Sequence, residues 1–252
     1  MNGYRLRVTA LSFILLSMTS ASAQDSVDVT FRWNTSGQTG YSVPGEFNGW
    51  NNTAWPMSYQ GGILWIRNAR LRVGGQPGGV IPGAYQYKFY YTGASPWPND
   101  PLNHHVNPSD NDNSFIYVKD PTIYHLLPNQ RMGTINTGTP TVTAYIFPKV
   151  GAVVDTSTLQ VKIDGTTYTG IGGSYNSTTK QLSFTVPSLL PNGSHTMILR
   201  AGTNMGGSNA DTVTFVSQAG YVQVTTHGGF PTRNSTRLLR GIVQNSSVTS
   251  VR

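Results

Sequence analysis

Seven consecutive residues, YQYKFYY at Tyr85 to Tyr91, alternate so regularly that a half-buried strand is the one regular structure that accommodates them. Tyr85, Tyr87, Phe89 and Tyr91 fall on one face and Gln86, Lys88 and Tyr90 on the other, so the first face is expected to pack and the second to stay free. The chain cannot continue as sheet beyond this point. Gly93, Pro96, Pro98 and Pro101 remove ladder donors and break the pleat, yet the same stretch carries the large indole of Trp97. A loop tryptophan beside a lysine-bearing strand reads as a platform for a ligand. The alternative is a lid folded onto the core, where tryptophan is often found.

The N-terminus has the pattern of an export signal. Arg5 and Arg7 precede an apolar run from Val8 to Met18, and Ala21, Ser22 and Ala23 form an A-x-A cleavage pattern, which sets a signal peptide at 1–23 and a secreted or periplasmic destination. No other stretch approaches the roughly 20 apolar residues of a membrane span, so no membrane partner is expected. The chain has no cysteine, which excludes disulfides, thiolate catalysis and cysteine metal sites. Its formal charge of +7 falls to +5 once Arg5 and Arg7 leave with the signal. The remaining basic residues are scattered, and a nucleic-acid partner would need a dense stripe of them.

Turn residues are abundant and no window outside the signal shows a 3.6-residue apolar period, so the expected fold is all-β: two immunoglobulin-like sandwiches in tandem, then an incomplete third unit. The first sandwich is placed at 26–120, opening with Val27, Val29, Phe31 and Trp33 and including PGEFNGWNN at Pro44 to Asn52, where Phe47 should face the core and Trp50 solvent. A linker follows at 121–139, its prolines and glycines discouraging regular structure. The second sandwich, 140–218, is marked by strands at Thr141 to Phe147, Leu159 to Ile163, Thr166 to Tyr168, Gln181 to Val186, Met197 to Ala201 and Thr212 to Val216, with a hairpin at Asp164 and Gly165. It reads as a spacer. From 219 to 252 the strand pattern restarts, too short for a further sandwich of about 70 to 100 residues.

Three segments in order, PGEFNGW at Pro44 to Trp50, YQYKFYY with Trp97 and Asn99 to Pro101 after it, and NDNSFIYV at Asn111 to Val118, resemble the family 48 carbohydrate-binding module. This is the glycogen-binding type found in the AMP-activated protein kinase β subunit and ahead of the catalytic barrel of family 13 glycoside hydrolases. The resemblance implies sugar contacts at Trp50, Lys88, Trp97 and Asn113, an α-glucan such as starch or glycogen as partner, and a catalytic barrel as a second partner in the full-length protein. The insertion GGQPGGVIPG before the key strand, and PLNHHVNPSDND after it, depart from the family pattern. The chemistry agrees independently. A pyranose has an apolar C–H face and a rim of hydroxyls, so its site needs flat aromatic surface with a few donors and acceptors.

Catalytic signals are nearly absent. A glycosidase needs two positioned carboxylates, whereas Glu46 is the only glutamate and Asp110 with Asp112 the only close acidic pair. Asp110 to Asn113 starts like a calcium loop but has Phe115 and Pro121 where the glycine and glutamate belong. His104 and His105 would face opposite ways on a strand, with no third ligand evident, and read as loop or rim residues. No nucleotide or serine-nucleophile motif occurs, so no catalytic residue, metal or cofactor is expected. The reading is therefore a non-catalytic α-glucan-binding or docking module of an exported family 13-type protein. The alternatives are an α-amylase-type hydrolase whose barrel lies beyond Arg252, and a structural surface protein. Exposure of Trp50 and Trp97 on one side favours binding; burial of both favours the structural reading.

Overall fold

The computed structural model describes residues 24–36, 40–93 and 97–220. The expected signal peptide at 1–23 and nearly all of the expected third unit lie outside them. The protein is all-β, and among the described residues only three single 3-10 turns interrupt the strands and loops. No helix there is long and apolar enough to cross a membrane.

The N-terminal sandwich is built from β1 (Ser26–Asn34), β2 (Ser58–Tyr59) and β3 (Leu64–Arg72) in the antiparallel order β1-β3-β2. These face β4 (Ala84–Tyr87), β5 (Val106–Asn107) and β6 (Asn113–Tyr117), ordered β4-β6-β5. The alternation of β1 does what its sequence requires. Val27, Val29 and Phe31 are fully buried, and the register with β3 sets Val29 opposite Ala69 and Trp33 opposite Trp65. Tyr41, Val43, Tyr85, Tyr87 and Phe89 complete a core dominated by rings, with Phe31 and Tyr87 edge to face at 4.8 Å between centroids.

The C-terminal sandwich comprises β7 (Thr122–Leu127), β8 (Thr134–Ile135), β9 (Thr141–Phe147), β10 (Val154–Ile163) and β11 (Thr166–Tyr168). It is completed by β12 (Tyr175–Asn176), β13 (Gln181–Thr185), β14 (Gly193–Thr203) and β15 (Ser208–Ser217). One sheet runs β12-β13-β9-β7 and the other β11-β10-β14-β15-β8. The core between them is aliphatic, with Leu159, Val161, Leu182, Met197 and Leu199 at its centre.

One expectation is corrected here. The segment 121–139, read as an irregular linker, begins with β7, in which Thr122 to Leu126 are all buried. β7 is shared between the two cores. Ile123 and Leu126 enter the aliphatic core while Tyr124 enters the aromatic one, so the strand forms the wall between the sandwiches. His125, at φ 52°, absorbs the irregularity that brings Ile123 and Leu126 to the same side, and the register with β9 shifts between Tyr124 and Leu127. The prolines at 121 and 128 that suggested a linker bound this strand instead.

Candidate functional site

Three loops meet at one end of the N-terminal sandwich. The first is the FNGW turn, a 3-10 turn over Glu46–Asn48 that ends with Gly49 and Trp50 both in the left-handed region, at φ 62° and 60°. Asn48 pinches the turn closed, its Oδ1 accepting from the Gly45 N–H at 3.0 Å and its Nδ2 donating to the Val43 carbonyl at 3.0 Å. Gly45 is required by proximity, since a Cβ there would lie 2.6 Å from the Gln86 carbonyl oxygen. Phe47 turns inward and stacks on Trp55 at 4.2 Å; Trp50, expected to face solvent, is half-buried, and its backbone N–H donates to the Gly45 carbonyl at 2.9 Å. A bulky residue in left-handed backbone costs about 1–2 kcal/mol, so this turn gives up stability to aim an indole.

The second loop follows β4. Lys88 and Phe89 are held by backbone bonds to the Pro44 and Pro98 carbonyls, both at 3.0 Å, so Trp97 is anchored beside the lysine. Its ring stands edge-on to Tyr90 at 5.1 Å and is 38% exposed. The third loop leads into β6 through Asn111 and Asp112, both left-handed, and ends at the buried Asn113. Lys88 Nζ crosses to this loop and donates to the Asn111 carbonyl at 2.9 Å.

Trp50, Lys88, Trp97 and Asn113 line a single open concavity of about 400 Å³, together with Asp110 and Asn111. It offers two indoles, one ammonium, one carboxylate and amide groups around an open mouth. Those groups suit a neutral, hydroxyl-rich ligand with an apolar face. Beneath it lies a layer that the alternation did not reveal. Gln86, expected on the free face, is 1% exposed. Its N–H donates to Glu46 Oε2 at 2.8 Å, its Nε2 donates to Asp110 Oδ2 at 3.1 Å, and its Oε1 accepts from Asn107 Nδ2 at 2.9 Å. Glu46 thus braces the turn against β4, and Gln86 ties both to the Asp110 loop.

Three histidine–aspartate groups lie elsewhere in the described residues. Asp100 Oδ2 accepts from Tyr87 Oη at 2.6 Å and Tyr124 Oη at 2.7 Å and meets His125 Nε2 at 2.7 Å, all buried at the junction of the sandwiches. Burial alone would raise the Asp100 pKa, but His125 and the two tyrosines hold it below the usual carboxylate range. At the far end of the C-terminal sandwich, Asp164 Oδ2 meets His195 Nδ1 at 2.8 Å and His195 Nε2 meets Ser217 Oγ at 2.9 Å, the order of a hydrolytic triad. Ser217 is 1% exposed and also donates to the Pro191 carbonyl at 3.0 Å, so this group fastens a turn to a hairpin.

The third group supplies the partner that the sequence did not show for His104 and His105, which lie in the loop before β5 and not on a strand. Their Nε2 atoms both point at Asp211 Oδ1 on β15, at 3.1 and 3.3 Å, with the side chains of all three residues largely buried. Burial works against ionisation of Asp211, yet the bonds to both rings hold its carboxyl well below the usual range. Sequence spacing hid the third member, because it comes from the other sandwich.

No protein-family model and no curated protein matches the chain. Among solved structures, it is similar to the dimeric latent PorU of Porphyromonas gingivalis, at 11% identity and a TM-score of 0.33 over 77% of this chain. The chain spans about a fifth of that protein's length, 20%.

Proposed function

We propose that this chain is a non-catalytic α-glucan-binding or docking module of an exported protein of the family 13 glycoside hydrolase type, with the C-terminal sandwich as spacer. The observation that supports it is the meeting of Trp50, Lys88, Trp97 and Asn113 around one concavity. Two indoles stack on the apolar faces of successive sugar rings, Lys88 donates to a hydroxyl, and Asn113 supplies both a donor and an acceptor. A charged donor to a hydroxyl contributes about 1.5–3 kcal/mol and each stacked ring on the order of 1 kcal/mol, so a single site binds in the micromolar to millimolar range. Retention on a polymer then comes from many such sites.

Titration with maltoheptaose, followed by tryptophan fluorescence, tests the reading. A saturable change with a dissociation constant between about 10 μM and a few mM is expected. An unchanged spectrum up to about 20 mM would count against it, since ring stacking perturbs an indole directly.

A further inference from the structure

We propose that His104, His105 and Asp211 form a binding site for a divalent transition ion of the zinc class, clamping the loop before β5 to β15 across the junction of the two sandwiches. Three candidate ligand atoms, one from each residue, lie within 4.8 Å of one another. Their donor set, two imidazoles and one carboxylate, suits a borderline ion; calcium and magnesium take six or more oxygens.

The distances at this site differ from those of the other histidine–aspartate groups. Among the described residues, the two other histidine–aspartate contacts are short, 2.7 Å for His125 with Asp100 and 2.8 Å for His195 with Asp164, as hydrogen bonds to a carboxylate should be. At Asp211 both separations are longer, 3.1 and 3.3 Å, and both fall on the same oxygen. Bonds of 2.0–2.1 Å in a tetrahedral site put neighbouring ligand atoms about 3.3–3.4 Å apart, so these are close to the edges of a zinc polyhedron. That same oxygen already accepts the Thr212 N–H at 2.8 Å, which leaves it poorly placed to take two further donors.

The surroundings hold the ligands in position. Asn103 Oδ1 accepts from the His105 N–H at 3.0 Å, and Asn103 Nδ2 donates to the Phe115 carbonyl at 2.8 Å, fixing the loop to β6. The His105 ring stacks on Phe115 at 5.0 Å and meets Tyr117 edge-on at 5.2 Å, which shields that side from water. With three protein donors, a fourth position stays open for water.

The test is calorimetric titration of the chelator-stripped full chain with Zn²⁺, with Ca²⁺ and Mg²⁺ in parallel. One Zn²⁺ should bind per chain and raise the Tm, and neither hard ion should do so. His105→Ala and Asp211→Asn should each weaken binding by more than the ~10–100-fold that loss of an outer hydrogen-bond partner costs. Co²⁺ bound to the unaltered chain should give the intense visible bands of a four-coordinate site, a readout that holds even if a variant fails to fold. Absence of saturable Zn²⁺ uptake, binding that survives both His105→Ala and Asp211→Asn, or a weak six-coordinate cobalt spectrum would each overturn the proposal.

Discussion

Glu46 Oε2 accepts the backbone N–H of Gln86 at 2.8 Å, joining the turn that carries Trp50 to the strand that leads to Lys88. The lone glutamate of the chain is thereby a brace, and the proposed sugar surface above it depends on a buried polar layer as much as on its aromatic rings.

That dependence can be measured through Gln86. Replacing it with alanine leaves the half-buried Asp110 carboxylate and Asn107 amide short of a partner each, and a lost hydrogen bond costs about 0.5–1.5 kcal/mol. Gln86→Ala should lower the free energy of unfolding by that amount in urea titration and also weaken retention by glycogen. Unchanged stability would show that the layer is dispensable.

Lys88 should behave in the opposite way. Its ammonium makes one solvent-exposed bond, to the Asn111 carbonyl, so Lys88→Ala should change stability by less than about 0.5 kcal/mol while reducing glucan affinity. A large loss of stability would mean that the lysine serves the fold instead.

The junction of the sandwiches should be acid-sensitive through Asp100. Its folded pKa is depressed below the ordinary carboxylate value by His125, Tyr87 and Tyr124 despite the opposing effect of burial. A depressed carboxylate contributes stability above its unfolded pKa of about 3.9 and loses that contribution as pH falls through the lower folded value. Tm should therefore decline below about pH 4. Asp100→Asn should flatten this decline and cost about 1–3 kcal/mol at pH 7, because an amide cannot replace the buried carboxylate that Tyr87, Tyr124 and His125 share. Equal slopes in both proteins would assign the acid sensitivity to other groups.

Much of this architecture can be read from residue order. The alternation in β1 buries Val27, Val29 and Phe31, β9 and β11 fall where their patterns end, and Asp164 with Gly165 joins Ile163 to Thr166. Trp50, Lys88, Trp97 and Asn113, which the resemblance implied as sugar contacts, line one concavity. What stayed hidden depends on long-range pairing. Gln86 occupies a position that alternation assigns to solvent, and only the arrival of Glu46 and Asp110 covers it. β7 was masked by its flanking prolines and by the left-handed His125, which breaks the period of two. Its signal was a short apolar run bounded by breakers, consistent with a strand buried on both faces. Asp211 could not be linked to His104 and His105 by spacing, because β15 approaches them only after the sandwiches dock.

Native electrophoresis of the chain in gels containing amylopectin, glycogen or no polysaccharide, with a cellulose pull-down as control, measures α-glucan binding directly. Retardation by both α-glucans and no retention by cellulose is the predicted result. Trp97→Ala should remove most of the retardation and Trp50→Ala a large part, about five- to tenfold in apparent affinity for each ring lost. Equal mobility of the unaltered chain and both variants in all three gels would contradict α-glucan binding at this concavity.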